Sequence, residues 1–415
     1  MSATRQEQAQ GAGKTFMSSD EVVERLGISK STLYAYVSRG LIRSEPDPVS
    51  PRSRRYRADD VERLLNRQRM RSDPESTATS ALDWGSPVME TDISEIVDEH
   101  LTYRGYDAVE LARTRSFEEV IGLLWNEDFS SGLPQPSRRT VAVREQLLRQ
   151  VEPLRQALDI PARVQMLLPG LEQHDSSSYD FRPENLQRIG ANVIQAYIAG
   201  LAGADANAGI DRTLQAHWAP GEPDKARLID AALILSADHQ PNISTFTVRC
   251  VASAGAPLYS AIAAGIAALR GPKHGGATLQ AAALVADIAS PDQAQTRLRQ
   301  RLERGEQMAG FGHRLYPSGD PRGAALIDLL REIVPESTEL ALAEAIISAA
   351  LELRDSRPNF DFGLVMLCRA LGQPGSTAFS LMALGRVAGW VAHAREAYER
   401  DRLIRPGSRF SGIDA

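Results

Sequence analysis

Cysteine is scarce. Cys250 and Cys368 are the only two in 415 residues, they stand in unrelated contexts, and neither belongs to a CxxC pair. That argues for a reducing compartment and excludes a cysteine metal site. Of the seven histidines, His100, His174, His217 and His393 show no metal-ligand spacing, so no metal is expected. No run of about 18 residues is uniformly apolar, and the opening MSATRQEQAQGAGKT has no apolar core, so neither a membrane span nor a signal peptide is expected. Internal repeats and long low-complexity tracts are missing too, as are alternating β-branched runs after Glu90. These absences leave the expectation of a soluble, cytoplasmic protein that is predominantly α-helical over residues 90–415.

What is present is an ordinary globular composition, 43% hydrophobic and 24% charged, on a chain too long for one core. At about 150 residues per domain, two or three domains are expected. Charge is unevenly spread: residues 1–71 carry a net charge of +5 and the remainder −11. Two parts with opposite electrostatic character have been joined.

Residues 1–14 have the polar, Gly/Gln-rich composition of a disordered tail. In residues 15–71, Ser19 is expected to cap a helix with Val22, Val23 and Leu26 on its apolar side, Gly27 to end it, and Ser29 to cap a second helix from Lys30. A turn-rich basic loop, SEPDPVSPRSRRYR, leads to a third amphipathic helix with Val61, Leu64 and Leu65 on one side. This stretch resembles the MerR-type winged helix-turn-helix family. The resemblance implies that Lys30, Ser31, Thr32, Tyr34 and Tyr36 face DNA and that Arg52, Arg54, Arg55 and Arg57 meet phosphates. Residues 72–88 read as a Ser/Thr/Pro/Asp-rich linker. Beyond it the text is helical; TELALAEAIISAALELR, for example, is expected to place Leu340, Ala343, Ile347 and Leu351 on one face.

Four islands interrupt that helical text with residues a core would not select. Gly310–Arg322, GFGHRLYPSGDPR, holds a histidine, two arginines and an aspartate, with glycines on both sides of His313 where backbone can approach a ligand. SADHQPNISTFTVR contains His239, Asn242 and Arg249; GPKHGG sets His274 among glycines; RPNFDFG sets Asp361 between Phe360 and Phe362. Singly, each reads as a cap, a turn or a helix start.

In this order and with these residues, ADHQPNIST, GPKHGG, GFGHRLYPSGDPR and NFDFG resemble the signature of the citrate synthase family, and YRGYDAVELARTRSFEEVIGLLW, GRVAGWVAHAREAYE and IRPGSRFSG fit it as well. The resemblance runs from about residue 93 to 412. It implies an all-α homodimer with shared active sites: a large domain over residues 89–254 and 356–415, and a small domain over 255–355. The implied reaction condenses acetyl-CoA with oxaloacetate and water to citrate and CoA, with no further cofactor.

Such a condensation requires a base for a weakly acidic methyl group and a donor to stabilise the enol. The expected base is Asp361, whose flanking phenylalanines would raise its pKa by desolvation. By resemblance, His274 donates to the thioester oxygen, His313 polarises the ketone, and His239 and Asn242 help bind the substrate. Arginine matches carboxylates with a planar, permanently charged fork. Arg322, Arg386 and Arg405 fall at the family's three such positions, Arg405 being expected to reach the partner's site. Gly271, Lys273, Gly310, Gly312 and Arg314 are expected around CoA. Departures from the pattern fall at Thr278 and Leu279, where Asn and Glu are common and two polar groups that could orient His274 are lost, and at Pro317, where Lys is usual. The common RPR near the end becomes Arg405-Pro406-Gly407. The alternatives are a transcription regulator whose citrate-synthase-like domain senses a metabolite, and 2-methylcitrate synthesis from propionyl-CoA.

Overall fold

The computed structural model describes residues 16–47, 53–58, 60, 61, 64, 65, 89–129, 132–203 and 209–407. The chain divides between Glu90 and Thr91 into two compact units, considered separately below.

The first unit contains strand β1 (Phe16–Ser18), helices α1 (Ser19–Leu26) and α2 (Lys30–Ser38), and strands β2 (Ser44–Pro46) and β3 (Arg54–Arg57). Ser18, one residue before the expected Ser19, caps α1. Its hydroxyl accepts from Glu21 N and the Glu21 side chain accepts from Ser18 N, a reciprocal pair that Ser19 could not make from inside the helix. Gly27 ends α1 at a left-handed φ of 62° and Ser29 caps α2. The strands form an antiparallel sheet in the order β1-β3-β2, so the basic hairpin is the wing. Val22, Leu26, Leu33, Ile42, Tyr56, Val61 and Leu65 form a small core of their own.

The second unit opens on a feature that the helical reading did not include, a meander of β4 (Ser94–Val97), β5 (His100–Tyr103) and β6 (Tyr106–Asp107). Its strands are too short to register as alternation in the sequence. Helices follow: α3 (Ala108–Thr114), α4 (Phe117–Asn126), α5 (Arg138–Val151), α6 (Ile160–His174), α7 (Pro183–Ala202), α8 (Ile210–Trp218) and α9 (Ala226–Ser236). Then come α10 (Ile243–Ser253), α11 (Leu258–Leu269), α12 (Ala277–Ile288), α13 (Ala294–Glu303), α14 (Pro321–Ile333), α15 (Thr338–Arg354), α16 (Phe360–Ala370) and α17 (Thr377–Arg400). The unit is an all-α body with one small sheet at its start.

Helix α17, at 24 residues about 36 Å long, is the axis of the unit, buried along most of its length and packed against α7, α9, α10 and α11. Its two glycines explain the motif GRVAG: a Cβ on Gly385 would lie 2.6 Å from Leu233 O, and one on Gly389 2.3 Å from Ala237 O. Only hydrogen at these positions lets α17 lie directly on the end of α9, from which the His239 segment departs. The apolar face of α15 is rotated from the expected one. Leu340 and Ala343 are buried as read, but Ile346 and Ala350 continue the stripe, while Ile347 is half-buried and Leu351 exposed. In a helix apolar on nearly all sides, spacing alone does not fix the inward face.

Candidate active site

The four polar islands meet through side-chain contacts, backbone hydrogen bonds and shared turns. His239 Nε2 is 2.9 Å from the Tyr316 hydroxyl, and its ring stands edge-on to His313 with centroids 5.4 Å apart. Tyr316 and His313 belong to the loop that precedes α14. Asp320, the N-cap of α14, accepts from Arg322 Nε (3.0 Å) and Nη2 (2.8 Å), and also from Phe360 N (3.1 Å) on the first turn of α16. Next to Phe360, Asp361 accepts a hydrogen bond from the Thr278 hydroxyl on α12. The turn that enters α12 carries His274, whose Nε2 lies 2.9 Å from Ser244 Oγ on α10. Four helix N-termini, those of α10, α12, α14 and α16, therefore surround one place, and each adds partial positive charge to it.

Local sequence explains these positions. His274 rides on a turn in which Gly276 N donates back to Leu269 O and Gly271 O, both at 3.1 Å; a Cβ at Gly275 or Gly276 would come within 2.8 Å of those carbonyls. The His313 loop is fixed by Asn359, whose Nδ2 donates to Gly312 O (3.0 Å) while its Oδ1 accepts from Asp361 N (3.0 Å) and Phe362 N (3.3 Å). One side chain thus sets the spacing between His313 and Asp361.

Burial pushes the His274 and His313 imidazoles down to about 4, helped by Arg386 for His274 and Arg322 for His313. Burial and the same arginines hold His239 well below the ordinary histidine value. All three rings are neutral at pH 7. His313 Nδ1 accepts the Leu315 N–H at 3.1 Å, which leaves the ring proton on Nε2 as a donor. Burial raises Asp361, as its phenylalanine neighbours led us to expect, and the Thr278 hydroxyl and Arg322 pull it back.

Arg322 and Arg386 are both buried. Arg322 lies over the Phe360 ring at 4.8 Å and gives Nε and Nη2 to Asp320; burial opposes its charge, but Asp320 keeps it above the ordinary arginine value. Arg386, on α17, donates from Nε to Ser236 O at 2.6 Å, and burial lowers it. Asn242 caps α10, its Oδ1 accepting from Thr245 N (3.2 Å) and Ser244 Oγ (2.9 Å). Arg405 is exposed and, among the described residues, has no bond to this cluster; Ile404 N beside it donates to Ser253 Oγ at 3.1 Å.

The residues expected around CoA divide. Lys273 and Arg314 are exposed, and Gly312, at φ 71°, meets nothing closer than Ser356 Oγ at 3.6 Å. Gly310 serves packing instead: a Cβ there would lie 3.0 Å from Phe362 Cβ and 3.2 Å from Ala281 Cβ. Pro317 is exposed at the loop tip, which Ser318 ties to Glu99 through N (2.8 Å) and Oγ (2.9 Å).

One sequence reading is corrected. Thr278 is not a lost polar group beside His274; its buried hydroxyl serves Asp361. Arg249, in the same island as His239, is engaged elsewhere. It is buried, paired with Glu396, and donates to His393 Nδ1 at 3.0 Å, while His393 Nε2 reaches Asp238 Oδ2 at 3.1 Å. Asp238, together with Ser94 and Tyr103, anchors the segment that carries His239. The sequence reading missed Ser244, Thr278, Tyr316, Asp320 and Asn359 as site partners. Asp320 before Pro321 was legible as an N-cap; the others become visible only when distant helices meet.

In the first unit, Tyr34 is 56% exposed on α2, where Leu33 is buried. Lys30 pairs with Asp20 at 2.7 Å, Arg55 pairs with Glu45, and Arg54 donates to Ser44 O at 2.8 Å. Arg55 and Arg57 also stack on Phe16, and Ser31 and Thr32 share the Ser29 hydroxyl. Arg52 lies outside the described residues.

A mainly helical body that brings a buried carboxyl, three neutral imidazoles and two buried arginines into one region holds the groups that acid–base chemistry on an anion requires. Residues 81–407 match the family described as citrate synthase, C-terminal domain, and residues 16–69 match a helix-turn-helix domain. The chain belongs to the citrate synthase family. It is 32% identical to citrate synthase 2 of Bacillus subtilis over 81% of this chain and 97% of that protein. To 2-methylcitrate synthase 2 of Corynebacterium glutamicum it is 28% identical, over 78% and 92%. The crystal structure of citrate synthase from Thermotoga maritima superposes with a TM-score of 0.64 at 26% identity, over 79% and 94%.

Proposed function

We propose that this citrate synthase-family enzyme condenses acetyl-CoA with oxaloacetate and water, releasing citrate and free CoA, with no cofactor beyond these substrates. The observation that carries this reading is the buried carboxyl of Asp361, tied to the turn that carries His274 through Thr278, with Asp320 bonding both Arg322 of the His313 loop and Phe360 N beside Asp361. Asp361 removes a methyl proton from the thioester, and the electron pair moves onto the thioester oxygen, which His274 stabilises as a donor. Ser244 Oγ, 2.9 Å from His274 Nε2, holds the orientation of the ring. The enol carbon then attacks the ketone carbon of oxaloacetate, whose oxygen takes the hydrogen bond of His313 Nε2–H. Arg322 and Arg386 neutralise the carboxylates, and Arg405 completes the partner's site in a homodimer. Water hydrolyses the remaining thioester.

A purely sensory domain has no need of a base, so retention of Asp361 with both His274 and His313 favours turnover over the metabolite-sensor reading. The experiment is release of CoA thiol from acetyl-CoA and from propionyl-CoA in the presence of oxaloacetate. Acetyl-CoA is expected to be the better substrate; a preference for propionyl-CoA supports 2-methylcitrate synthesis instead. Asp361→Ala is expected to lower kcat by about 10²- to 10⁴-fold and to keep oxaloacetate binding, and near wild-type turnover would refute the assignment of the base. For the first unit, we propose DNA binding through α2 and the wing, supported by its helix-turn-helix match and the exposed Tyr34.

A further inference from the structure

Thr278 is fully buried in the first turn of α12, four residues after His274. A threonine in a helix ordinarily returns its hydroxyl to the carbonyl one turn back. Here the hydroxyl instead crosses to Asp361 Oδ1 on α16, and among the described residues this is the one hydrogen bond to that carboxylate from a side chain. The backbone of the same turn is tied to the His274 turn, with Ala277 N donating to His274 O at 2.9 Å and Thr278 N to Gly275 O at 3.1 Å. The β-branch further restricts the rotation of the side chain.

The geometry points to Thr278 as a positioning residue for the condensation: its hydroxyl fixes Asp361 through Oδ1 and leaves Oδ2 to take the substrate's proton. The inference rests on Asp361 being the base. The turn that carries the enol-stabilising histidine thereby also sets the orientation of the base, so that His274 and Asp361 move as one unit. Burial raises the Asp361 carboxyl, and the Thr278 hydroxyl is the largest opposing influence, so the same contact favours the ionised form of the base.

The test compares Thr278→Val, which replaces the hydroxyl with a methyl of similar size, with Thr278→Ser, which keeps the hydroxyl. The readout is the pH dependence of CoA release. A base must be deprotonated, so activity falls as pH drops through its pKa, and a base that has lost a stabilising donor titrates higher. In Thr278→Val the acid limb is expected to move up by about one to two pH units and kcat to fall by about ten- to a hundredfold, with KM for oxaloacetate nearly unchanged. Thr278→Ser is expected to keep the wild-type acid limb. A Thr278→Val profile that superimposes on wild type overturns the inference, as does a Thr278→Ser variant as impaired as the valine. If the valine variant does not fold, Thr278→Ala against Thr278→Ser decides by the same limb. Absence of CoA release from the wild-type enzyme would sink the proposed reaction; wild-type turnover with an unmoved acid limb would sink only the role of Thr278.

Discussion

Gly389→Ala separates two opposed effects whose sizes differ. In the middle of a helix, alanine is favoured over glycine by about 1 kcal/mol, so propensity alone predicts a more stable enzyme. At this site the added Cβ would lie 2.3 Å from Ala237 O, 2.9 Å from Asp238 Oδ1 and 3.0 Å from Asp238 Cβ. A carbon–oxygen contact relaxes near about 3.3 Å, so one side must retreat by about 1 Å. The carbonyl cannot rotate away, because it accepts the Gly389 N–H at 3.1 Å. Overpacking of this kind costs about 2 to 3 kcal/mol, leaving a net loss of about 1 to 2 kcal/mol. The displaced segment is the one that carries His239, and a misplacement of about 1 Å near reacting groups lowers rate by about a hundredfold. Denaturant midpoints and CoA release measured on the same samples check both numbers. A Gly389→Ala enzyme at least as stable as wild type, with normal kcat, would refute the claim that α17 and the end of α9 touch through hydrogen alone.

Two further outcomes are expected. Asp230 on α9 accepts from Phe117 N at 2.9 Å, and burial together with the nearby Asp211 pushes its carboxyl up to about 8. A raised folded value means that the folded state holds a proton the unfolded chain has released, so stability is full below the ordinary carboxylate value and is lost as pH rises through about 8. Between pH 7.5 and 9, where the shifted histidines are almost wholly neutral in both states, Asp230 is expected to lower the unfolding free energy by about 1 kcal/mol. Urea midpoints at the two pH values check this, and Asp230→Asn, which keeps an acceptor for Phe117 N, is expected to flatten the slope; an unchanged slope in that variant would reject the assignment. For the first unit, a DNA complex is expected to weaken steeply with salt as basic side chains exchange Asp20 and Glu45 for phosphates, and a mobility shift insensitive to salt, or absent, would count against DNA binding.

The sequence carried the chemistry of the site further than its wiring. His239, His274, His313, Asp361 and Arg322 stood out because each sits in an island of polar and glycine residues that helical text does not contain, whereas Arg386, inside a helix, was indicated only by the family resemblance. Their supports were not, because a supporting contact has no local signature. Thr278 looked like a subtraction from a familiar pattern until α16, 83 residues further on, was laid against it. Asn359 read as an ordinary cap and proved to join two loops. The same limit accounts for α15: periodicity located the helix, but with apolar residues on most sides its inward face was decided by what packs on it. Ser18 displaced Ser19 as a cap for a local reason, since its extended backbone just outside the helix aims its hydroxyl at Glu21 N.

The electrostatics of the site imply an order within the proposed reaction. Arg322 and Arg386 both draw the Asp361 carboxyl downward, which makes it a poorer base in the empty enzyme. A dianion bound to those arginines cancels their pull and adds negative charge of its own, and both changes raise the proton affinity of Asp361. The histidines do not respond in the same sense. Burial holds His274 and His313 at about 4, and a nearby dianion would have to raise them by more than two pH units before they charged at neutral pH. They therefore remain neutral donors while the carboxylate becomes a stronger base. Within the proposed reaction, binding of the electrophile is therefore expected to strengthen the base before the thioester is deprotonated, so that a partner for the resulting enol is already in place.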